Sequence, residues 1–163
     1  MRKKATKSRK RKSKKATTLE AKTAEKKKTL GTDARRPSQV TDSPWLFAER
    51  KKGDHHPWTS KCGKWLIFLN IDQADQFWPK IKKAIEDGKL GQSAKVGTRR
   101  RRRSVTVICV YTYDWTDQDD VMRVREQLRK IGIKNKIPYK SDEDTLKGRY
   151  HKMGHNGLSK YYE

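Results

Sequence analysis

No apolar run in the 163-residue sequence exceeds five residues, the length of Trp65–Leu69. A membrane-crossing helix needs about 20, so no membrane association is expected. The N-terminus is highly charged and lacks the apolar stretch of a secretory signal. Cysteine is scarce: Cys62 and Cys109 are the only two, and both sit beside or within strand-like sequence. They make no disulfide framework, and the expectation is reduced thiols in the cytoplasm, or in the nucleus of a nucleated cell. The sequence has no Gly-rich P-loop, no nucleophile elbow and no paired Cys-x-x-Cys. His55-His56 and the two cysteines fit no zinc spacing, so neither metal nor cofactor is expected. Acidic residues are few, 19 Asp+Glu against 42 Lys+Arg, for a formal net charge of +23.

Apolar residues amount to 32%, below the ~45–50% of an average globular chain, and they are unevenly spread. Residues 1–28 hold 14 basic and 2 acidic residues, no aromatic and a single Leu. That is too little apolar surface to offset the entropy of ordering a chain. The segment reads as a disordered polycationic tail that binds polyanions by counterion release. Residues 29–44, with Gly31, Pro37, Ser38, Ser43 and Pro44, read as linker. All 14 aromatics lie from Trp45 onward, and residues 45–163 are long enough for one small domain. A two-domain enzyme, a coiled coil and a fully disordered chain are thereby excluded.

Within that domain Trp45-Leu46-Phe47 is a short apolar lead-in, residues 51–57 a loop, and Lys64–Asn70 a strand. Ala74, Phe77, Trp78, Ile81 and Ile85 make a helical stripe that Asp72 or Asp75 can cap, with Pro79 tolerated in a first turn and Gly88 as the stop. Ser93–Thr98 and Val105–Tyr113 read as a hairpin around the five positive charges of Arg99–Arg103. Thr116 with Asp119 resembles a capping box for a second helix carrying Val121, Val124, Leu128 and Ile131 and ending at Gly132. Ile137–Tyr139 is a last strand. Residues 148–163 form a closing segment or a mobile one. The order predicts an α+β domain with a curved, largely antiparallel sheet and helices on one face. The acids at 117–120 and 142–144 are explained as helix and turn caps.

The chemistry-bearing pattern is basic residues interleaved with aromatics. Lys95, Arg99, Arg100, Arg101, Arg102, Arg103, Arg123, Arg125, Lys140 and Arg149 accompany Trp58, Trp65, Tyr111, Trp115 and Tyr139. Arginine forks hold phosphates bidentately and Trp faces stack on bases, a combination suited to nucleotides or RNA. Most of these aromatics are needed as core in a domain this small. The five-Arg run is different: packing does not call for it, and its self-repulsion is costly without an anion.

The stretch Trp58 through Gly63-Lys64-Trp65-Leu66-Ile67-Phe68-Leu69-Asn70, followed by Asp75-Gln76-Phe77-Trp78, resembles the middle of the cap-binding translation initiation factor 4E fold. Ser93–Val96, the basic loop, Val107–Thr112 and Ile137–Thr145 continue the parallel in order. Gly63–Phe68, Lys89–Val96 and Val107–Tyr113 are still more similar to the poorly characterised family of basophilic leukaemia-expressed protein. Over about residues 45–150 the resemblance implies a curved antiparallel sheet backed by helices. It also implies that Trp58 matches the aromatic that stacks on a cap base, and that Lys95 and Arg99–Arg103 fall near the phosphate-holding residues. Thr59 replaces the Glu that reads the guanine edge in cap binders, and Trp45 is the candidate second stacking residue.

Three functional readings follow. The first is a monomeric binding protein for nucleic acid, RNA before DNA, or for another phosphorylated ligand, using Trp58, Lys95 and Arg99–Arg103. The second, implied by relatives labelled as phosphothreonine lyases, is β-elimination with Lys95 as base, His151 as acid and Arg149 or the Arg99–Arg103 loop on phosphate. The third is a protein-docking module.

Overall fold

The computed structural model describes residues 35–147 and 159–163. Six strands form one sheet: β1 Trp45–Glu49, β2 Gly63–Asn70, β3 Ser93–Gly97, β4 Val105–Thr112, β5 Pro138–Ser141 and β6 Tyr161–Tyr162. Their order is β1-β3-β4-β2-β5-β6, and every pairing is antiparallel. Three helices accompany them: α1 Ile71–Glu86, α2 Gln118–Ile131 and the short α3 Asp142–Leu146. The expected α+β class and curved antiparallel sheet are what the chain adopts. The lead-in at Trp45 is a full edge strand, and the closing segment supplies a sixth strand, β6, against β5.

Side chains alternate between the two sheet faces along each strand. Leu46, Ala48, Trp65, Ile67, Ala94, Val96, Ile108, Val110 and Tyr139 point to one face and are buried against Ala74, Trp78, Ile81 and Ile85 of α1 and Val121, Val124 and Leu128 of α2. The Trp65 indole N–H donates to the Val121 carbonyl at 3.1 Å, tying the sheet to α2. Two glycines are required by close approach. A Cβ on Gly63 would lie 2.3 Å from the Tyr139 hydroxyl, and one on Gly91 only 1.8 Å from the Tyr111 carbonyl oxygen.

The helix boundaries differ from expectation for a local reason. The cap of α1 is Asn70, in a reciprocal capping box with Gln73, rather than Asp72 or Asp75. The helix therefore starts earlier, and Pro79 lies in its interior, on the exposed side. Asp75 is engaged elsewhere, its carboxylate accepting hydrogen bonds from the Ser38 amide and hydroxyl. On α2 the cap is Asp117, accepting from the Asp120 amide, instead of Thr116 with Asp119. Gly132, at φ +116°, ends it as expected. The described part of the stretch read as linker packs onto the domain, with Pro37 buried and Val40 wholly inside the core.

Arg125, counted above among ligand-facing cations, is wholly buried. It donates to the carbonyls of Ile133 at 2.8 Å, Asn135 at 2.7 Å and Glu163 at 3.1 Å, latching the α2–β5 connection to β6. Arg123 belongs to α2 as well, bonded to Asp120 and to the Lys89 carbonyl. Neither serves the open face of the sheet. Cys62 and Cys109 are both buried, and neither forms a disulfide.

Candidate functional site

The face opposite the helices carries the other half of each strand. Its residues follow from the register: Phe47 opposes Lys95, Lys95 opposes Cys109, and Cys109 opposes Leu66. One row over, Ser93, Tyr111, Lys64 and Lys140 align across β3, β4, β2 and β5. On the other side Trp45, Gly97, Val107 and Phe68 occupy the neighbouring rows. Neither α1 nor α2 covers this face.

Trp58 reaches it from the β1–β2 loop and is 56% exposed. The loop is fastened at several points. Thr59 Oγ1 donates to the Tyr113 carbonyl at 2.8 Å and accepts from the Lys61 amide. The Gln92 side-chain amide donates to the His56 carbonyl, and the His56 ring stacks on Tyr113 at 4.3 Å. Arg50 donates to the Leu90 carbonyl at 2.6 Å, and the Trp115 amide donates to the Lys61 carbonyl. Burial pushes the Cys62 thiol above its ordinary pKa, so it stays neutral while donating toward the Thr59 and Tyr113 carbonyls. Thr59 is thus a staple in this loop, its hydroxyl used both as donor and as acceptor. Trp58 meets Tyr111 edge-on, with centroids 6.2 Å apart.

Lys95 extends its ammonium between two rings, 4.6 Å from the centroid of Trp45 and 5.7 Å from that of Tyr111. The sequence of contacts Trp58, Tyr111, Lys95, Trp45 crosses four elements and unites residues that the sequence singled out separately. Lys64 is nearly buried, bonded to the Asp142 carboxylate and the Thr145 hydroxyl, and lies over the same Tyr111 ring. Its partner across the strands, Lys140, has a lowered pKa, through desolvation first and the Lys64 charge second. Burial raises the pKa of the Tyr111 phenol, which stays neutral among these cations.

Arg99–Arg101 form a 3-10 turn between β3 and β4, closed by Arg102 in the left-handed region at φ 49°. The turn rests on residues 40–44. The Arg100 amide bonds the Val40 carbonyl, its guanidinium bonds the Asp42 carbonyl, and Thr98 bonds Pro44 and Ser43. Thr41, Arg99, Arg100 and Arg102 line a depression of about 710 Å³. Arg103 is exposed beside it. Arg100 therefore has a structural anchor, and Arg99, Arg100, Arg102 and Arg103 are all exposed. Lys95 on β3 and Arg99 at the start of the turn are four residues apart in the sequence.

Arg149 and His151 lie outside the described residues. Trp65 and Tyr139 are core and Trp115 is half-buried under Lys160. Sequence reasoning missed the exposed rings Phe47, Phe68 and Tyr162 on the open face. The run Trp65–Leu69 is continuous in hydrophobicity, so its alternation between a core face and an open face was hidden. Among the described residues no group of three or more His, Cys, Asp or Glu could hold a metal ion, and no helix is long and apolar enough to cross a membrane.

Two schistosome initiation factor structures share the architecture. One, eIF4E complexed with m7GpppA and 4E-BP, superposes with a TM-score of 0.59 at 16% identity, over 81% of this chain and 76% of the other. The second, eIF4E with m7GpppG and 4E-BP, gives 0.58 at 17% identity over the same shares. The model of the family described as basophilic leukemia-expressed protein Bles03 matches residues 1–145, which includes the basic N-terminal segment as well as the strands whose motifs carried the resemblance. The chain belongs to the family of basophilic leukemia-expressed protein Bles03, on an eIF4E-like fold.

Proposed function

We propose that this protein binds nucleic acid, or another phosphorylated ligand, on the open face of its sheet. The observation that carries the reading is Trp58. Trp65 and Trp78 are buried in the core, whereas Trp58 is held out at the edge of the open face with 56% of its surface free. It stands beside Tyr111, whose ring also meets the Lys95 ammonium at 5.7 Å. A base stacks on the indole, which is worth about 1–3 kcal/mol per base by truncation. Lys95 and the turn carrying Arg99, Arg100, Arg102 and Arg103 take phosphate, with the guanidinium forks giving bidentate bonds. The structural neighbours are described with bound cap dinucleotides, which supports a nucleotide on this fold. RNA is favoured over DNA because unstacked bases in single strands are what aromatic side chains reach. The basic segment at residues 1–28 adds sequence-independent affinity.

Titration of the full chain with a capped dinucleotide, GTP and AMP, read by Trp fluorescence, tests the reading. Saturable quenching that is lost in Trp58→Ala is the expected result. Equal quenching in parent and variant, or none with any of the three, would overturn it.

A further inference from the structure

The exposed large apolar residues are concentrated. Phe47 (42%), Phe68 (56%), Val105 (52%), Tyr162 (43%) and Trp58 are the principal ones among the described residues, with Leu146 on α3 the other. Register puts Phe47, Phe68, Val105 and Tyr162 on the open face, and Trp58 joins them from its loop. Exposed apolar side chains gathered on one face of a chain this charged call for an occupant.

The charges around it identify the occupant's chemistry. The Arg turn connects the Gly97 end of β3 to Val105, so it borders the row that holds Trp45, Val107 and Phe68. Lys95 stands in the row of Phe47, directly opposite it across β1 and β3, and Lys64 and Lys140 follow in the next row. Among strand residues facing this way Glu49 is the one carboxylate. Exposed rings interspersed with Lys95, with the Arg turn at one end of the face and Lys64 and Lys140 toward the other, match a chain of bases with phosphates alongside.

We infer that the open face is a platform for a single-stranded nucleic acid, with Phe47 and Phe68 as base-stacking rings beyond Trp58. The inference rests on the nucleotide-binding reading and extends it from one nucleotide to a strand. Phe47 and Phe68 lie on β1 and β2, which are three strand spacings apart, ~14 Å. With Trp58 at the far side of Tyr111, the face accommodates on the order of four nucleotides, the low end of single-strand site sizes.

The test uses the full chain with oligouridylates of one, two, four and eight nucleotides at raised salt, which weakens counterion release by the basic N-terminal segment and leaves stacking in place. Affinity is expected to rise steeply up to four nucleotides and then flatten. Phe47→Ala and Phe68→Ala each lower octamer affinity about 5- to 100-fold, the range for loss of one stacked base, and leave the mononucleotide affinity unchanged. Phe47→Tyr and Phe68→Tyr keep a ring and retain binding, which separates stacking from a folding defect. A 4-thiouridine octamer cross-links to peptides containing Phe47 or Phe68. If the double Ala variant binds the octamer like the parent, or cross-links fall only within residues 1–34, the platform is overturned. Should Trp58→Ala still abolish mononucleotide quenching in that case, the nucleotide site stands without it. Octamer affinity equal to that of the mononucleotide also overturns it, and leaves the apolar strip to a protein partner.

Discussion

The buried Arg125 latch gives a stability prediction that can be worked from the geometry. Its guanidinium is wholly enclosed and is met by three main-chain carbonyls at 2.7–3.1 Å, with the Trp65 ring 5.9 Å away. Hydrogen bonds from a charged donor contribute ~1.5–3 kcal/mol each. The cation's own desolvation, which lowers its pKa, cancels part of that sum. Arg125→Met conserves the stem's volume and removes all three bonds, leaving the Ile133, Asn135 and Glu163 carbonyls to find water. The expected cost is about 3 kcal/mol, within the range for a broken buried network. Urea unfolding read by Trp fluorescence should show the midpoint moved down by ~1–3 M, given m-values of ~1–3 kcal/mol/M. Arg125→Lys, a point charge that reaches fewer of the carbonyls, should fall between the two. The loss should also be local, with hydrogen exchange accelerating first at the Ile137 and Glu163 amides, which pair β5 with the segment after β6. A midpoint within about 0.3 M of the parent for Arg125→Met, from the same m-value range, would refute the claim that the three carbonyls order this edge.

Three further outcomes are expected. Asp117 caps α2 and accepts from the Tyr113 hydroxyl, which holds its pKa below the ordinary 3.8, so its charged form stabilises the fold above that value and the contribution is lost as pH falls through the lowered pKa. The same bond raises Tyr113 to about 12, so its share is intact below the phenol's ordinary 10 and is lost toward pH 12; Asp117→Ala should cost about 1 kcal/mol at neutral pH and shrink to nothing at low pH in thermal melts. Arg102→Gly relieves a left-handed non-glycine residue and should raise stability by ~1 kcal/mol while lowering affinity for phosphate ligands, an opposition of sign that calorimetry and titration read together. Incubation with a phosphothreonine peptide should release no inorganic phosphate; release that disappears in Lys95→Ala would argue for elimination chemistry in place of binding alone.

The antiparallel core was legible because its signals are local and agree with one another. Val105–Thr112 is β-branched and aromatic almost throughout, the α2 stripe repeats at helical spacing, and Gly132 closes it. What escaped were features decided by distant partners. Asn70 outcompetes Asp72 as a cap because Gln73 completes the reciprocal box, while Asp75 is drawn to Ser38 across 37 residues of chain. Val40 looks like one apolar residue in a Pro- and Ser-rich stretch, yet its burial brings residues 40–44 under the Arg turn. Arg125 sits within the apolar stripe of α2, and only the fold supplies the three carbonyls that let a cation occupy a core position. Of the proposed site, Trp58 and Lys95 were singled out by resemblance and charge, and the structure places both against the ring of Tyr111. Phe47 and Phe68 were invisible because a strand apolar on both faces reads as wholly buried.

On the proposed reading the basic segment and the folded face make separable contributions, and a salt series tests this. Polyanion binding by residues 1–28 releases counterions, so its log K falls with log salt at a slope of about −0.7 per phosphate neutralised on a single strand. Stacking of a base on Trp58 moves no net charge. Trp58→Ala should therefore lower affinity for a short oligonucleotide by the same factor at every salt concentration, giving a parallel line on the log–log plot. Charge removal at Arg99, Arg102 and Arg103 does something else: each lost phosphate contact reduces the slope by about 0.7, so the variant and parent lines converge as salt rises. Deleting residues 1–28 should flatten the slope further without altering the offset that Trp58 produces. A slope change in Trp58→Ala, or parallel lines for the Arg variants, would contradict the division of labour in which the aromatic edge reads the base and the turn between β3 and β4 holds its phosphate.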